Sequence, residues 1–346
     1  MVTYALWNTE VDLTLPSIPS PETLSQMDEG TGNPEHGYFQ TPHGKLHYRK
    51  YLPDGEIKAV CVWQHGINAH SGRYCKLGNA DNDSEAKFTN TGLLARQMKK
   101  AGYALYAPDM LGHGFSEGKR FYIPNGQWEI NRDGLASFAK FASGQHESIP
   151  FFLMGDSYGG CLTLHIARKW QDCPEDAPTN FKGITLNAPA IKGDVPSPAA
   201  VLFLKFLAAV APERTPFFMP HPVSPDRIWK NEVVRAHFMS DEEKSMMLAG
   251  GGKPFRLGTA KGLLSALEAV REKVIPGFNI PFCVCHGTHD CGVPVTGTEF
   301  LLEHATTKEQ DRGVRIIDGA FHDLLADPTM EETVDFHLKW MDSRLG

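Results

Sequence analysis

The chain has 346 residues, of which 41% are apolar and 22% charged, and its formal net charge is −7. This length suits one large α/β domain with an insertion, or two domains, and the composition is ordinary for a soluble globular protein. A negative net charge without a cluster of Lys and Arg argues against nucleic acid as the main partner.

The N-terminus and the cysteines indicate the compartment. Residues 1–12 lack a basic start followed by an apolar core, so we expect no secretory signal. The longest candidate for a membrane span, residues 199–210, is shorter than the ~20 apolar residues required and contains Lys205. Seven cysteines without a Cys-x-x-Cys pair or zinc-like spacing predict free thiols and no metal site. We therefore expect a cytoplasmic protein.

Strands and helices alternate along most of the chain. Residues 1–35, rich in Pro, Ser, Thr, Glu and Gly, predict a polar extension with little structure. The predicted strands are Leu46–Tyr51, Ala59–Trp63, Tyr103–Ala107, Pro150–Met154, Gly183–Asn187, Phe282–His286 and Gly313–Ile317. One predicted helix contains Leu93–Met98, and two others span about Gln127–Ser143 and Glu331–Arg344. This alternation predicts an α/β fold with a mostly parallel sheet and helices on both faces.

One long interval breaks the alternation. Residues 189–276 are helix-like, punctuated by Pro and poor in strands. We interpret them as a helical cap inserted into a core formed by residues 36–188 and 277–346.

A sharp turn is predicted at Ser157. The hexapeptide Gly155-Asp-Ser-Tyr-Gly-Gly160 follows a buried-type strand and precedes a helical run, as in a nucleophile elbow of the form G-x-S-x-G. The apex of such a turn is strained, and Gly155 and Gly159 allow the neighbouring backbone to pass closely. The alternative is a Gly-rich β-to-α turn with an incidental serine.

A serine nucleophile needs a base and an acid that orients the base. In open α/β sheets such groups follow the carboxyl ends of strands, and the hydrolase order along the chain is Ser, acid, His. Asp290 and His322 lie after two successive late strands in this order, and they are the predicted acid and base. Taken singly, Asp290 could be an Asx-turn residue, and His322 one of 15 histidines with surface or core roles.

The oxyanion of the reaction needs two backbone N–H donors. Tyr158, directly after the nucleophile, is the first predicted donor. The second is Ile67, in the His65-Gly66-Ile67 turn after an early strand.

Two longer segments carry a resemblance to a known family. His65-Gly-Ile-Asn-Ala-His-Ser-Gly-Arg-Tyr74 is similar to the H-G-x-x-x-H-S-G-R-Y signature of monoglyceride lipases and their lysophospholipase-like relatives. Asp109-Met-Leu-Gly-His-Gly-Phe-Ser-Glu-Gly118 resembles their D-x-x-G-H-G-x-S-x-G segment, and the match extends over about residues 36–344. The resemblance implies an α/β-hydrolase fold, a Ser157–Asp290–His322 triad and ester hydrolysis without a cofactor. It also implies a structural role for Asp109 and His113.

The chain departs from this family at three places. Ala69 stands where the animal enzymes commonly have a Glu that helps to hold glycerol, although Arg73 remains as a predicted substrate-binding residue. About fourteen additional residues near 76–88 are expected to alter the rim of the site. Asp156 and Tyr158 replace the usual His and Met beside the serine. An Asp nucleophile, as in dehalogenases, is disfavoured because the elbow apex is Ser157.

The segment at residues 199–210 is apolar nearly all round, which permits two interpretations. It could be a cap helix buried on the core, or a lipid-facing lid that admits acyl chains and makes transient contact with a membrane. In the second interpretation Leu202 and Phe206 contact the substrate, and residues 217–219 extend the surface.

The favoured function is a serine carboxylic ester hydrolase that cleaves a single-chain lipid ester, either a monoacylglycerol or a lysophospholipid. A serine aminopeptidase, which would need an acidic pocket for the substrate amine, and a short-chain esterase are the enzymatic alternatives. A non-catalytic binding or scaffold protein on the same fold is a third, which the intact triad argues against.

Overall fold

The computed structural model describes residues 20–77, 87–240 except 194, 196, 220 and 222, 254–326 and 328–345. The strands of this part are β1 (Glu35–Thr41), β2 (Gly44–Tyr51), β3 (Ala59–Gln64), β4 (Lys76–Leu77), β5 (Lys87–Phe88), β6 (Tyr103–Pro108), β7 (Phe151–Asp156), β8 (Phe181–Asn187), β9 (Phe282–Gly287) and β10 (Arg312–Ile317). Eight of them form one sheet in the order β1-β2-β6-β3-β7-β8-β9-β10. β2 pairs antiparallel with β1 and β6, and the other pairs are parallel, which confirms the predicted sheet.

The central strands are apolar on both faces, as parallel sheets require. In β3 every residue is buried, and its side chains alternate between two cores. Val60 and Val62 belong to one core, and Cys61 and Trp63 to the other. This explains why β3 reads as a continuous apolar run in the sequence.

Helices cover both faces of the sheet. The α-helices in the described part of the chain are α1 (Pro21–Met27), α2 (Thr91–Lys100), α3 (Glu129–Gly144), α4 (Tyr158–Asp172), α5 (Pro198–Val210), α6 (Pro225–Ile228), α7 (Glu232–Phe238), α8 (Leu257–Ala269), α9 (Thr296–His304) and α10 (Met330–Asp342). α3 and α4 pack into the core that contains Val60, whereas α2 and α10 pack into the core that contains Trp63. None of the helices in the described part of the chain combines the length and apolar character that a membrane span requires.

The segment before β1 is more structured than its composition predicted. Within described residues 20–35, α1 begins at a Ser20 cap whose side chain accepts a hydrogen bond from the Thr23 N–H. Leu24 packs against Phe115, and the Asp28 side chain is buried. A composition-based prediction misses this segment because a few contacts with distant residues hold it. The first 19 residues lie outside the described part.

The predicted cap interval contains α5 to α8, which lie between β8 and β9 in the chain. Residues 241–253 of it lie outside the described residues, and its boundaries as a separate unit stay a prediction. Of the predicted rim insertion, β4 and β5 form an antiparallel pair, whereas residues 78–86 are outside the described part.

The parallel register brings the ends of several strands to one edge of the sheet. Gln64 at the end of β3 pairs with Gly155 of β7, and Asp156 pairs with Asn187 of β8. Ile317 of β10 pairs with Gly287 of β9. The loops that carry the predicted site residues therefore leave the sheet at the same edge, where open α/β sheets place their sites.

Candidate active site

Ser157 occupies the turn between β7 and α4. Its backbone has φ 53° and ψ −118°, a region that non-glycine residues rarely adopt and that is common where strain serves a site. Its N–H donates to the Asn187 carbonyl at 2.9 Å, and its carbonyl accepts from the N–H groups of Cys161 and Ala190 at 3.0 and 2.8 Å. These three bonds hold the turn in the strained form that sequence reasoning predicted.

The two flanking glycines are required by close backbone contacts. A Cβ at Gly155 would lie 2.5 Å from the Gly159 carbonyl oxygen, and a Cβ at Gly159 would lie 2.2 Å from that of Gln64. Both approaches are far closer than a carbon and an oxygen tolerate, and the opposing atoms are backbone. The G-x-S-x-G spacing therefore follows from packing between β3, β7 and α4.

Asp290 and His322 are brought together as the sequence predicted. Nδ1 of His322 donates to Oδ2 of Asp290 at 2.6 Å, and both residues are largely buried. Oδ1 of Asp290 accepts the N–H groups of Gly292 and Val293 at 2.8 and 2.7 Å. The loop after β9 therefore fixes one carboxylate oxygen, and the other orients the imidazole.

The electrostatics of this pair favour an ionised acid and a basic imidazole. Burial alone would raise the pKa of Asp290, but the His322 and His286 rings hold it well below its ordinary value. Burial alone would lower the pKa of His322, but the Asp290 carboxylate holds it above its ordinary value, with further support from Asp323 and Asp156. A raised pKa makes His322 a stronger proton acceptor.

Sequence reasoning missed a second histidine on Asp290. Nε2 of the buried His286 lies 3.1 Å from Oδ2 of Asp290 and 2.9 Å from the Val293 carbonyl. Since both partners are acceptors, this nitrogen carries a hydrogen and donates. Nδ1 of His286 lies 2.7 Å from the Thr298 hydroxyl, which fixes the ring. The His-Gly-Thr-His-Asp segment contained a signal, because His286 and Asp290 close one short loop.

The predicted oxyanion donors flank Ser157. A Cβ at Gly66 would lie 3.1 Å from the Ser157 Cβ and 3.6 Å from its Oγ, so the loop after β3 passes beside the serine. Ile67 follows in this loop and lines the same space as Ser157. Tyr158 is the first residue of α4, and N–H groups of a first helical turn have no acceptor within the helix.

Two buried histidines brace the loop of Ile67. Nδ1 of His65 donates to the Gly66 carbonyl at 2.7 Å, and its Nε2 accepts from the Met110 N–H at 3.0 Å. Nδ1 of His113 donates to the Leu111 carbonyl at 3.0 Å, and its Nε2 accepts from the Asn68 N–H at 3.1 Å. Burial lowers the pKa of His65 to about 4 and that of His113 to about 3, so each neutral ring serves as one donor and one acceptor.

Asp109 joins the same loop to the sheet. Its Oδ1 accepts from the Ser71 N–H at 2.6 Å, and its Oδ2 accepts from the Phe115 N–H at 3.0 Å and from His47 Nδ1 at 2.7 Å. The carboxylate is fully buried with these donors around it. The two long sequence motifs are therefore one hydrogen-bonded structure that supports the Ile67 backbone.

Two cavities meet at Ser157. The first, which we call the polar cavity, is lined by groups that include Asn68, Arg73, Asn90, Asp156, His322 and Asp323. The second, the apolar cavity, is lined mainly by aliphatic and aromatic side chains, among them Leu204, Met219, Phe255, Leu263, Leu264 and Leu267. Ser157, Ile67 and Val223 line both. The apolar cavity encloses about 800 Å³ including its mouth, which is the size of small-molecule sites.

Two predicted substrate contacts lie elsewhere. Leu202 and Phe206 are 71% and 63% exposed and do not line either cavity, whereas Leu204 of the same helix is 9% exposed and lines the apolar cavity. Because α5 is apolar nearly all round, its sequence does not indicate which face turns inwards. Of these three residues of α5, only Leu204 faces the cavity beside Ser157, whereas Leu202 and Phe206 face outwards.

Arg73 lines the polar cavity, as the sequence predicted, and contacts two aromatic rings. Its guanidinium carbon lies 4.5 Å from the ring centre of Trp229 and 4.4 Å from that of Phe238. These contacts join the loop after β3 to the segment of α6 and α7.

Asp156 also lines the polar cavity. Its Oδ1 accepts from the Asn187 amide at 3.1 Å, and Asn187 in turn contacts Nε2 of His337 at 2.7 Å. Burial raises the pKa of Asp156 to about 7, and the nearby negative charge of Asp323 acts in the same direction. The carboxyl thus changes its charge near neutral pH.

Comparison with known proteins yields several similar chains. The chain is 28% identical over 338 residues to a caffeoylshikimate esterase of Arabidopsis thaliana, and the aligned region covers 94% of this chain and 90% of that protein. It is 28% identical over 278 residues to the monoglyceride lipase of Rattus norvegicus, covering 80% and 79%. A monoacylglycerol lipase of Mycolicibacterium smegmatis is 23% identical, covering 90% and 98%.

Solved structures share the fold. The monoacylglycerol lipase of Paleococcus ferrophilus superposes with a TM-score of 0.66 at 22% identity, covering 86% of this chain and 99% of that one. A soluble variant of monoglyceride lipase from Saccharomyces cerevisiae, in complex with a substrate analogue, superposes with a TM-score of 0.68 at 17% identity. This match covers 90% of the present chain and 96% of the yeast one. The sheet and these likenesses confirm the predicted α/β-hydrolase fold.

A family model matches residues 55–329, which is well over half of the chain and contains Ser157, Asp290 and His322. The chain therefore belongs to the Hydrolase_4 family, which is described as serine aminopeptidase, S33.

Proposed function

We propose that this protein hydrolyses carboxylic esters that join one acyl chain to a polar alcohol, such as monoacylglycerols or lysophospholipids, through an acyl-enzyme on Ser157. The observation that carries the proposal is the meeting of a polar and an apolar cavity at Ser157. An ester with an apolar acid and a polar alcohol places its carbonyl where the two cavities join. The lipases and esterase among the similar proteins support the same reaction class.

In the first step, His322 Nε2 accepts the Ser157 hydroxyl proton while Oγ attacks the ester carbonyl carbon. The carbonyl oxygen becomes an oxyanion beside the Ile67 and Tyr158 N–H groups. Asp290 holds Nδ1–H of His322 and stabilises the imidazolium, without itself taking the proton. The intermediate collapses, the alcohol oxygen takes the proton from His322 Nε2, and the acyl group remains on Oγ.

In the second step, a water molecule attacks the acyl-enzyme and gives one proton to His322. The collapse of the second intermediate breaks the bond to Oγ and returns that proton to Ser157. The products are one carboxylic acid and one alcohol for each ester and water consumed. In this proposal the polar cavity takes the alcohol and the apolar cavity takes the acyl chain.

Contact of the cap with a membrane surface is part of this proposal. Among the described residues, α5 and the segment that follows it expose the apolar side chains of Leu202, Phe203, Phe206, Val210, Phe217 and Phe218. The rings of Phe203 and Phe218 lie 6.1 Å apart, so α5 and the following segment form one surface. A surface of this kind suits a cytoplasmic enzyme that collects single-chain lipids from a bilayer.

Vesicle flotation tests the membrane contact. The double variant Leu202→Ser/Phe206→Ser is expected to lose binding to phosphatidylcholine vesicles while hydrolysis of a water-soluble ester is retained. Val233→Ser, at a residue of α7 that is 62% exposed, is the matched control and is expected to float like the wild type. Equal flotation of all variants would remove membrane contact from the proposal.

A second candidate activity, aminopeptidase, is favoured by the family description and by two carboxylates in the polar cavity, Asp156 and Asp323. The amine of a peptide substrate would be held by such carboxylates. The apolar cavity beside Ser157 favours the lipid ester, because an aminopeptidase has no general need for a long apolar acyl site.

One panel separates these functions. Monoacylglycerols, lysophospholipids, short nitrophenyl esters and aminoacyl amides are offered to the wild type and to Ser157→Ala, and both are treated with a fluorophosphonate probe. We expect probe labelling of Ser157 in the wild type alone, with turnover of single-chain lipid esters. Turnover of amides alone would establish the second candidate, and a wild type that is neither labelled nor active would leave a scaffold role.

A further inference from the structure

We infer that Asp323 is a positioning residue, which clamps the loop of His322 between the sheet core and the segment of α6 and α7. The role of His322 in this inference rests on the proposed function. The clamp itself rests on hydrogen bonds in the structure. Asp323 follows His322 directly in the sequence and lines the polar cavity with it.

The core side of the clamp is Asn90. Its side-chain amide donates to Oδ2 of Asp323 at 2.9 Å, and its backbone N–H donates to the Leu325 carbonyl at 2.7 Å. Asn90 caps α2, and its Oδ1 accepts from the Thr91 N–H at 3.0 Å. Its backbone has φ 57°, which is strained and indicates that surrounding contacts hold it there. One residue at the start of α2 therefore grips the His322 loop at two points.

The cap side of the clamp is the end of α6. The indole N–H of Trp229 donates to the same Oδ2 of Asp323 at 2.8 Å. The Asp323 backbone N–H donates to the Ile228 carbonyl at 3.2 Å. Trp229 also stacks on Arg73, so the clamp reaches the loop that carries Ile67. One carboxylate oxygen thus joins the core, the cap and the His322 loop.

The clamp limits the orientation of the His322 imidazole. Asp290 fixes one nitrogen of His322 at 2.6 Å, but a single bond leaves the ring free to swing about it. The neighbouring Asp323 is held from both sides through its carboxylate and from the cap side through its backbone N–H, and these bonds restrict the loop from which the ring projects. A misplacement of the base by about 1 Å costs on the order of 10²-fold in rate. Asp323 acts through His322 and not on the substrate.

Asp323 also contributes to the charge around His322. The other charged and titratable groups that line the same cavity are Asp156 from the elbow, Asp323 from the loop of His322, His65 and Arg73 from the loop after β3, and His221 from the cap, with Asp290 behind the ring. The Asp323 charge favours the protonated imidazole and so raises the pKa of His322. Its removal is therefore expected to move the acid limb of the pH profile of kcat/KM to lower pH.

Three variants separate the clamp from the charge. Asp323→Asn keeps an oxygen that accepts both N–H groups but removes the charge. Asp323→Ala removes both, and Trp229→Phe removes one donor while keeping a ring beside Arg73. Asp342→Ala is the matched control. Asp342 is the exposed last residue of α10, and its carboxylate likewise accepts a side-chain hydrogen bond, from the Tyr103 hydroxyl.

We expect Asp323→Ala to lower kcat by about 10²-fold with little change in KM, and Trp229→Phe to lower it less. Asp323→Asn is expected to keep most of kcat at alkaline pH and to shift only the acid limb of the pH profile of kcat/KM, to lower pH. Asp342→Ala is expected to behave as the wild type. Wild-type kcat in Asp323→Ala, or equal losses of kcat in Asp323→Asn and Asp323→Ala, would overturn the clamp.

Thermal unfolding provides a readout that does not depend on catalysis. Trp229→Phe is expected to lower Tm in the wild-type background and to change it much less in the Asp323→Ala background, because the shared hydrogen bond is already lost. Additive Tm shifts would overturn the clamp even if every variant were inactive. A wild type without ester hydrolysis would instead refute the proposed function, and the Tm cycle would still decide the clamp.

Discussion

The carboxylate of Asp28 accepts a hydrogen bond from Nε of the fully buried Arg49 at 3.0 Å. Nη1 of Arg49 in turn donates to the hydroxyl of Ser71 at 2.9 Å, in the loop that carries Ile67. Asp28 precedes residue 55, where the family match begins. A segment outside that match therefore supplies the counter-charge for a cation that supports the site.

Asp28→Asn is expected to lower the free energy of unfolding by about 3–5 kcal/mol at pH 7, because it leaves the Arg49 charge buried without its partner. Urea unfolding measures this change. Glu29→Gln, at the exposed neighbouring position, is the control and should change stability by less than about 0.5 kcal/mol. An unchanged urea midpoint in Asp28→Asn would show that Arg49 is neutralised in another way.

The pH dependence of this contribution has a definite sign. Burial alone would raise the pKa of Asp28, but Arg49 and His36 hold it below its ordinary value. A lowered carboxyl pKa stabilises the folded state above the ordinary pKa, and the contribution is lost as the pH falls through the lowered one. The stability difference between the wild type and Asp28→Asn should therefore persist at pH 5 and shrink only in stronger acid.

The sequence predicted best those parts of the site whose position follows from strand order. Ser157, Asp290 and His322 each follow a strand, and parallel strands bring their carboxyl ends to one edge. The roles of these residues remain predictions. What the sequence could not indicate depends on contacts between segments far apart in the chain, such as the ion pair of Asp28 with Arg49. The contact of His286 with Asp290 lies within one short loop, and sequence reasoning missed it although the loop contained a signal.

The inward face of α5 was not predictable for a different reason. A helix whose residues are apolar on every side has no periodic signal that distinguishes the buried stripe. Leu204 lies inwards and Leu202 outwards because of how α5 packs on α8, where Leu204 joins a cluster with Leu257. Only tertiary structure sets this rotation.

Replacement of Gly159 by Ala tests the elbow. The new Cβ would lie 2.2 Å from the Gln64 carbonyl oxygen and 2.6 Å from that of His65, both backbone atoms. We expect a loss of about 1–3 kcal/mol in stability and a fall in kcat of about 10²-fold, because β3 and the Ile67 N–H must move away. Urea unfolding and ester hydrolysis measure the two effects.

Gly144→Ala is the matched control for that variant. Gly144 is the last residue of α3, and a Cβ there would meet no atom within 4 Å. Alanine should stabilise the protein by about 0.4–1 kcal/mol and leave kcat unchanged, since the backbone is already helical. If both glycine variants behaved alike, close packing at Gly159 would not explain the G-x-S-x-G spacing.

Asp156→Asn tests the carboxyl beside the nucleophile. Asparagine still offers an oxygen to the Asn187 amide, so the change removes mainly a charge that forms near pH 7. Since the Asp156 charge favours protonated His322, the acid limb of kcat/KM should move to lower pH, by up to about one unit. Rates against pH measure the shift, and an unmoved limb would show that solvent screens Asp156 from His322.

The same variant should change the choice of alcohol. A carboxylate in the polar cavity repels an anionic head group, so the wild type should increasingly prefer a monoacylglycerol over the lysophosphatidylglycerol of the same chain as the pH rises from 6 to 8. In Asp156→Asn this preference should be weaker and nearly independent of pH. The ratio of the two kcat/KM values is the measurement, and an identical pH course in both proteins would contradict the prediction.

Leu204→Trp tests the assignment of the acyl chain to the apolar cavity. Leu204 lines that cavity and is 9% exposed, so an indole in its place would occupy the space of the distal acyl carbons. Leu202→Trp, two residues away on the exposed face of α5, adds the same bulk outside the cavity. We expect Leu204→Trp to lower kcat/KM for long-chain monoacylglycerols by at least about tenfold while short nitrophenyl esters keep their rate, because each excluded methylene forfeits about 0.8 kcal/mol of burial.

Leu202→Trp is the control and should leave both rates unchanged for monomeric substrates. Equal losses for short and long chains in Leu204→Trp would mean that the indole distorts the site around Ser157, and no loss for either would place the acyl chain elsewhere.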